Sequence, residues 1–152
     1  MKYYLKEEFL HDVNAKNAGN KARNDVESIV KEEGYHLGPF CRQLVSDEYP
    51  WAQRHKAKAF GQALDQLKQG DELLIQFPML HHSFFSTHLV KKAQKRGIKV
   101  YLLIHDLEVL RHANMTSLPL KHRIRMYLQE ASFLKTADGI IAHNPVMKSV
   151  LV

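Results

Sequence analysis

The sequence predicts an α/β domain with three layers, in which a mostly parallel sheet is covered by helices on both faces. Short apolar runs that fit strands alternate with stretches of helical periodicity about five times along the 152 residues. The clearest run is residues 99–104, K-V-Y-L-L-I, which shows no strict alternation of apolar and polar residues. Such runs are typical of strands buried on both faces, and these strands occur mainly in parallel sheets.

In the first part of the chain, the sequence predicts two strands and two helices. Residues 2–5 fit a short strand, and after a polar, asparagine-rich loop a helix covers residues 21–33 and stops at Gly34. Residues 35–40 fit a second, weaker strand. A stronger helix covers residues 51–69, because four apolar residues recur at i, i+3, i+4 and i+7. These residues are Phe60, Ala63, Leu64 and Leu67, and Gly70 ends the helix.

The middle of the chain predicts a strand, a helix and a second strand in close succession. Residues 72–77 fit a strand that ends at Pro78, because proline cannot donate a hydrogen bond to the sheet. A helix over residues 83–96 ends at Gly97, and the strand at residues 99–104 follows at once.

The last part predicts a helix, a strand and the start of another helix. In residues 120–135 the apolar residues align on one face, the pattern of a helix packed against a core. A strand at residues 139–143 runs into Asn144-Pro145, a helix cap followed by proline at the first helical position. Because this helix has barely begun at Val152, we expect the sequence to be the front portion of a longer protein. The aligned residues of the longer helix are Ile124, Tyr127, Leu128, Ala131 and Leu134.

The composition is that of an ordinary globular domain, with 45% hydrophobic and 25% charged residues. No stretch approaches about 18 consecutive apolar residues, and the amino terminus carries acidic residues where a signal peptide needs an apolar run. The single cysteine, Cys41, excludes an intramolecular disulfide and fits a reducing compartment. We therefore expect a cytoplasmic protein, at most in peripheral contact with a membrane.

A formal net charge of +6 raises the question of a polyanionic partner. The basic residues are scattered and form no stripe interleaved with exposed aromatic residues, so nucleic acid is not expected. Solvated side chains are the simplest interpretation, and an anionic membrane surface or a phosphorylated substrate are the alternatives. A homo-oligomer stays open. The main basic residues are Lys91, Lys92, Lys95 and Arg96 on one predicted helix and Lys121, Arg123 and Arg125 on another.

Three of the predicted strands end in residues that can bind a ligand. In a parallel sheet these ends share one edge, so we expect the residues to surround a single crevice. Two histidines, a carboxylate and two amides suit a polyhydroxylated ligand, and a histidine beside a carboxylate can act as a base or as a hydrogen-bond donor. The residues are Gln76, Phe77 and Pro78, then His105 and Asp106, then His143 and Asn144.

Two of the candidate sites also have plain structural interpretations. His105-Asp106 can be a strand-ending turn in which Asp106 caps the following segment. The segment that contains Asn17 and Gly19 can be an ordinary loop, or its backbone amides at a helix start can approach a ligand.

Metal and nucleotide motifs are weak or missing. His81, His82 and His88 are close in sequence, yet there is no H-E-x-x-H motif and only one cysteine. Neither G-x-x-x-x-G-K-[ST] nor G-x-G-x-x-G occurs, so a dinucleotide site is not expected. The sequence therefore predicts neither a metal nor another bound cofactor.

Four segments together resemble a known family. They are residues 14–26 (N-A-K-N-A-G-N-K-A-R-N-D-V), 70–78 (G-D-E-L-L-I-Q-F-P), 104–111 (I-H-D-L-E-V-L-R) and 137–144 (A-D-G-I-I-A-H-N). Over nearly its whole length the chain resembles the amino-terminal half of bacterial galactofuranosyltransferases. It is also similar to the related glucosyltransferases that extend glycans on serine-rich adhesins. Q-F-P and I-H-D-L-E are fairly specific, whereas A-D-G-I-I is shared by many glycosyltransferases with two Rossmann-like domains.

The resemblance implies a Rossmann-like domain that forms the amino-terminal half of a GT-B fold and supplies mainly the acceptor side of the cleft. A carboxyl-terminal domain would grip a UDP-sugar donor, so this chain alone would be inactive. The acceptor would be a glycan, glycolipid or glycoprotein, and no essential metal would be needed. Gln76 and Pro78 would shape the cleft floor, and Asn144 would lie near the interdomain crevice. Asp106 or His105 would face the acceptor hydroxyl as base or orienting group.

The rival hypothesis is a flavodoxin-like or response-regulator-like binding module without transferase activity. Response regulators need an acidic cluster at the end of the first strand and a phosphorylatable aspartate at the end of the third. Here Lys6, Glu7 and Glu8 follow the first predicted strand and lead into a long polar loop.

Overall fold

The computed structural model describes residues 1–8, 18–107, 118–142 and 145–151. Strands and helices alternate along these residues, as the sequence predicts. The strands are Lys2–Glu8 (β1), His36–Arg42 (β2), Glu72–Phe77 (β3), Lys99–Ile104 (β4) and Gly139–Ala142 (β5). The helices are Ala18–Glu32 (α1), Ala52–Asp65 (α2), Ser86–Lys95 (α3), Leu120–Thr136 (α4) and Pro145–Leu151 (α5).

The sheet of the described residues is entirely parallel and has the strand order β2-β1-β3-β4-β5. The direction of winding reverses between β1 and β3, since the chain first builds β2 on one side of β1 and then continues on the other side. Such a reversal leaves a crevice at the carboxyl ends of the two strands, where open α/β sheets bind their ligands. The three-layer, Rossmann-like fold class that the sequence predicts is confirmed.

Helices cover both faces of the sheet. α1 covers one face through a small cluster in which Tyr4, Val30 and Leu74 are buried. The opposite face carries a larger cluster, to which α2, α3 and α4 each contribute. The buried side chains that these three helices supply include Phe60, Val90 and Phe133.

β3 is the strand that is buried on both faces. Residues 73–77 are all buried, as expected for the central strand of the sheet. In β4 every second residue is buried, while Tyr101 and Leu103 between them are half-buried. The prediction of full burial for residues 99–104 is therefore wrong for the face under α1, because Tyr101 and Leu103 lie at the margin of the small cluster.

The bounds of β3 and β4 agree with the prediction, whereas other bounds differ. β1 extends to Glu8, so its last three residues are polar. α1 begins at Ala18, which places Gly19 in a helical turn instead of the predicted loop. α2 ends at Asp65, and Leu67 packs into the core from the segment that follows the helix.

α4 turns its apolar face away from the sheet. Ile124, Tyr127 and Leu128 are 50%, 55% and 59% exposed, whereas the buried residues of this helix are Glu130 and Phe133. The periodicity of residues 120–135 correctly predicts a helix, and Leu134 packs against the larger cluster as expected. The implied packing is wrong for Ile124, Tyr127 and Leu128. Spacing identifies an apolar face and carries no information on what covers it.

Two further observations concern the environment of the chain. Cys41 is fully buried in the larger cluster, and burial raises the pKa of its thiol, so the thiol stays protonated. In the described ranges, no helix combines the length and the apolar character that crossing a membrane requires.

Phe60 anchors α2, and its removal tests the assigned core. Phe60 is 0% exposed, so we expect Phe60→Ala to lower the free energy of unfolding by about 3–5 kcal/mol. Ile29 on α1 is 57% exposed, and Ile29→Ala should change it by less than about 0.5 kcal/mol. Urea unfolding followed by circular dichroism measures both values. Equal losses in the two variants would contradict this core.

Candidate functional site

β1 and β3 separate at the carboxyl edge of the sheet, where the strand order places the crevice of an open α/β fold. These strands pair only as far as Tyr4 and Leu74. Beyond this pair β1 continues beside β2 to Glu8, and β3 continues beside β4 to Phe77. Between the described ends of β1 and β3, side chains therefore replace the backbone ladder.

Gln76 is the centre of a buried hydrogen-bond network that spans this crevice, and the residue is only 2% exposed. Its Nε2 donates to the Tyr4 hydroxyl on β1 and, at 3.2 Å, to the Arg23 carbonyl on α1. Its Oε1 contacts Nε2 of His105, the first residue after β4. Both amide protons and the amide oxygen thus have partners, as a buried glutamine requires.

The two-residue periodicity of strands explains why these side chains meet. Tyr4 and Leu74 are paired on the face that α1 covers, and Gln76 lies two residues beyond Leu74 on the same face. Gln76 is paired with Leu103 of β4, and His105 lies two residues beyond Leu103. The sheet therefore places the Gln76 and His105 side chains side by side under α1.

The network fixes the tautomer of His105. The Arg23 carbonyl can only accept, so the Gln76 atom that faces it is the amide nitrogen, and the atom that faces His105 is the oxygen. Because an amide oxygen also only accepts, Nε2 of His105 carries the proton that is shared with Gln76. In the neutral ring, Nδ1 is then the nitrogen that carries the lone pair.

Tyr4 takes part in the network as a neutral phenol. Burial raises the pKa of its hydroxyl to about 12, and the hydrogen bond from Gln76 offsets only part of this rise. The hydroxyl is thus un-ionised at neutral pH and contributes a hydrogen bond without charge.

A buried carboxylate joins the ends of β1 and β3. The Glu7 side chain is 5% exposed, and its Oε2 accepts from Nη1 of Arg23 at 3.3 Å. Its Oε1 accepts from the backbone N–H of His81 at 2.8 Å and lies 3.2 Å from Nδ1 of the same residue. Arg23 also donates through Nη2 to the Pro78 carbonyl. Arg23 therefore bridges β1 and the segment after β3.

An ion pair holds α1 against β1 and so positions Arg23. Lys6 on β1 donates to the Glu27 carboxylate, and Lys31 contacts the other oxygen of Glu27 at 3.2 Å. Burial raises the pKa of Glu27, but the hydrogen bonds from the two lysines outweigh this effect and hold the pKa below its usual value. Glu27 is therefore a charged anchor one turn along the helix from Arg23.

Among the predicted site residues, the structure brings Gln76 and His105 into direct contact and places Asp106 next to them. Oδ1 of Asp106 accepts from the backbone N–H of Leu107 at 2.8 Å. This is the capping interaction that the sequence also allowed. His105 and Asp106 are both half-buried and directly follow the carboxyl end of β4.

Phe77 and Pro78 support the crevice in different ways. The Phe77 ring is buried and stacks on Phe133 with ring centroids 5.8 Å apart, so it lies in the core. Its carbonyl accepts from the backbone N–H of His105 at 2.9 Å. Pro78 is half-buried and offers its carbonyl to Arg23.

The other predicted residues lie at the start of α1, after β3 and outside the described ranges. Gly19 lies in the first turn of α1, so the expected helix start is present there. The histidines after β3 are not arranged as ligands, since His81 bonds to Glu7 and His82 packs edge-on against Phe133. Within residues 1–8, 18–107, 118–142 and 145–151, no group of three or more His, Cys, Asp or Glu side chains could hold a metal ion. Outside the described residues lie Asn17, His143 and Asn144.

Three residues of the site, Tyr4, Glu7 and Arg23, were not predicted from the sequence. Because the first strand was expected to end at residue 5, the Glu7 carboxylate fell in a loop. A usable signal existed for Arg23, since a basic residue near the start of the first helix faces the carboxyl edge of a parallel sheet.

The arrangement brings hydrogen-bonding groups together at the carboxyl edge of the sheet. Buried Gln76 bonds to His105, and the Arg23 guanidinium is paired with Glu7 and bonds to the Pro78 carbonyl. A histidine and a carboxylate are side chains that can hydrogen-bond to hydroxyl groups.

Together, the strand order and this edge define a Rossmann-like domain whose buried polar network lies at the topological switch point. Residues 2–152 match the family described as Glucosyltransferase 3-like, N-terminal domain, and the chain belongs to that family. The protein is therefore related to glycosyltransferases, as the resemblance implied. Among curated proteins no match was found.

The family does not favour the response-regulator-like alternative, and the site agrees. The strand order is shared with flavodoxin-like proteins, so topology alone does not separate the two hypotheses. At the end of β3, however, the chain carries Gln76 instead of a phosphorylatable aspartate. At the end of β1, Glu7 is engaged by Arg23.

Glu7 and Glu8 are neighbours on β1, and they provide a matched test of the buried contacts of Glu7. Glu7→Ala removes the carboxylate that pairs with Arg23 and accepts from the His81 N–H. We therefore expect the free energy of unfolding to fall by about 2–4 kcal/mol. Glu8 pairs with Arg42 at the surface, with 37% of its side chain exposed. Glu8→Ala should cost less than about 1 kcal/mol. Urea unfolding measures both changes. Equal losses in the Glu7→Ala and Glu8→Ala variants would show that the Glu7 contacts do not support the fold.

The tautomer of His105 is directly measurable. We expect two-bond nitrogen–proton correlation spectra to show that the neutral ring is protonated at Nε2. Gln76→Met removes the acceptor, so the ring should then populate both tautomers. Exposed His122 serves as an internal control that does not change. An Nδ1-protonated His105 in the unmodified protein would contradict the orientation of the Gln76 amide.

Proposed function

We propose that the protein is a glycosyltransferase and that this chain is the domain that binds the acceptor. The proposed reaction moves a hexosyl group, galactofuranosyl in the most specific version, from a UDP-sugar to a glycan, glycolipid or glycoprotein. Membership in the glucosyltransferase 3-like family supports the general class. The particular sugar is suggested by the sequence resemblance alone.

The observation that carries the acceptor role is the His105–Asp106 pair at the end of β4. Both side chains are half-buried at the edge of the crevice, and His105 is held in one orientation by buried Gln76. Oδ1 of Asp106 accepts from the Leu107 amide at 2.8 Å, and this hydrogen bond orients the carboxylate. This pair suits the recognition of a sugar hydroxyl, because it combines fixed geometry with strong hydrogen-bond acceptors.

In the proposed reaction Asp106 receives the proton of the acceptor hydroxyl, and His105 orients that hydroxyl. The hydroxyl oxygen forms a bond to the anomeric carbon of the donor. The bond between that carbon and the diphosphate oxygen breaks, and its electron pair leaves with the nucleoside diphosphate. Developing charge on the leaving group needs positively charged or hydrogen-bonding groups nearby.

We propose that a separate carboxyl-terminal domain holds most of the UDP-sugar, in keeping with the description of the matching family as an N-terminal domain. On this view the chain binds acceptors by itself but transfers no sugar. A cytoplasmic location fits the proposal, because the single cysteine is buried and reduced.

Ligand-observed NMR on the 152-residue chain tests the division of labour. The probes are UDP-glucose, UDP-galactose and UDP, together with oligosaccharides that end in glucose, galactose or N-acetylglucosamine. We expect saturation transfer to an oligosaccharide and little to the nucleotides. Asp106→Asn should weaken oligosaccharide binding about tenfold, the effect of losing one hydrogen bond to a charged group.

Asp65→Asn is the matched control. Asp65 ends α2 and pairs with Arg96 at 2.8 Å, away from the crevice, so this change should leave binding unaltered. Tight binding of the nucleotides irrespective of the attached sugar would move the donor site into this domain. Equal binding by the Asp106→Asn and Asp65→Asn variants would remove Asp106 from the acceptor site.

A further inference from the structure

We propose that the outward-facing apolar stripe of α4 binds the surface of a membrane that contains anionic lipids. The stripe consists of Leu120, Ile124, Tyr127 and Leu128, and is called the outer face of α4 below. This inference does not rest on the proposed function, because its observations concern α4 and the segment before α3.

The outer face lies opposite the side of α4 that packs. Leu120, Ile124, Tyr127 and Leu128 follow the spacing i, i+4, i+7 and i+8, which places them on one side of a helix. At about 100° per residue, the buried side chains of Glu130 and Phe133 project from the other half of the helix. α4 therefore has two distinct faces, and the more apolar of them is turned to solvent.

The exposure of this face is large for apolar residues. Leu120 is 69% exposed, and the other three members are each at least half exposed. Phe84 and Phe85, in the segment before α3, are also exposed and continue the apolar surface. A groove of about 420 Å³ runs between the two parts, and Phe84, Ile124 and Leu128 contribute to its walls. Contiguous apolar surface of this kind marks interaction sites.

Cationic side chains flank the outer face on both sides. On the helical wheel Lys121 and Arg125 follow one margin of the stripe and Arg123 lies beyond the other. The Arg125 guanidinium lies over the Phe84 ring, 5.5 Å from its centroid. Residues 118–129 contain no Asp or Glu. Among the residues that the structure describes, no salt bridge involves Lys121, Arg123 or Arg125.

The cations beside the outer face of α4 indicate which kind of partner binds it. An apolar stripe between cationic margins is the pattern of helices that lie in the plane of an anionic lipid surface, with the apolar side chains inserted and the cations among the headgroups. A second copy of the chain is disfavoured, because a symmetric contact would bring the cations of the two copies together without acidic partners. The net charge of +6 adds long-range attraction of the same sign.

Co-sedimentation with vesicles tests the proposal on the 152-residue chain. One set of vesicles contains equal parts of phosphatidylglycerol and phosphatidylcholine, and the other contains phosphatidylcholine alone. We expect binding to the first set, much weaker binding to the second, and loss of binding at about 0.5 M salt.

Two pairs of substitutions separate the contributions. Replacing both Lys121 and Arg125 by Gln should reduce partitioning roughly 10- to 30-fold, since each cation close to an anionic lipid surface strengthens binding roughly fivefold. Replacing both Ile124 and Leu128 by Gln should reduce it by at least about tenfold, because the inserted side chains are lost.

Matched controls change the same residue types elsewhere. Replacing Lys91 and Lys95 of α3 by Gln removes two exposed cations, and replacing Ile29 and Leu44 by Gln removes two exposed apolar side chains. We expect partitioning to change less than about threefold in either control. Circular dichroism establishes that every variant is folded.

Three results would overturn the proposal. The first is the absence of binding to anionic vesicles. The second is an equal loss of binding in the α3 control and the α4 variant, which would indicate attraction by net charge alone. The third is self-association in sedimentation velocity that the Ile124 and Leu128 substitutions abolish without any effect on vesicles, which would make the outer face a protein interface.

Discussion

The candidate site depends on the early end of the ladder between β1 and β3. These central strands pair only up to Tyr4 and Leu74, and beyond this point the protein relies on buried side chains to hold its carboxyl edge together. Gln76 and Arg23 supply these links, since each contacts groups on both sides of the crevice. A buried polar group that loses its partner costs about 1–3 kcal/mol, so the arrangement tolerates few alternatives.

This constraint also explains why a polar network lies under a helix in an otherwise apolar fold. A continuous ladder between β1 and β3 would fill the edge with backbone hydrogen bonds and leave no crevice. With the ladder interrupted, α1 can send Arg23 towards the strand ends, and the Lys6–Glu27 pair fixes the helix in that position. Fixed polar groups at a strand edge are what a site needs in order to bind a hydroxylated ligand without a costly rearrangement.

Much of the fold could be predicted from the sequence, because local signals mark its central strands. Pro78 and Gly97 mark boundaries beside β3 and β4, and both strands have the predicted bounds. The contact between Gln76 and His105 follows from strand periodicity, once the sheet is known to be parallel. The extent of β1 could not be predicted, because Lys6 and Glu7 are polar. Their partners lie on α1 and after β3, so only tertiary structure shows why they belong to a strand.

The packing of α4 was wrongly predicted for a different reason, and the position of this helix along the sheet shows where its outer face lies. A helix of 17 residues is about 26 Å long, whereas the six residues of β4 span about 20 Å. α4 ends beside the amino edge of the sheet, where Gln94 donates to the Thr136 carbonyl at 2.7 Å and the Asp138 amide bonds to Val100 at 2.8 Å. Its first turn, which contains Leu120, therefore reaches the carboxyl edge.

Only this first turn passes the strand ends. Ile124, Tyr127 and Leu128 lie alongside the sheet, and they are exposed because they project from the side of α4 away from buried Phe133. An amphipathic pattern cannot show this from the sequence, because it does not tell which side of a helix packs. A lipid surface bound to the outer face of α4 would extend at its Leu120 end towards the His105 end of the sheet. An acceptor anchored in that surface would then meet the crevice with little loss of orientational freedom, which favours glycolipids among the proposed acceptors.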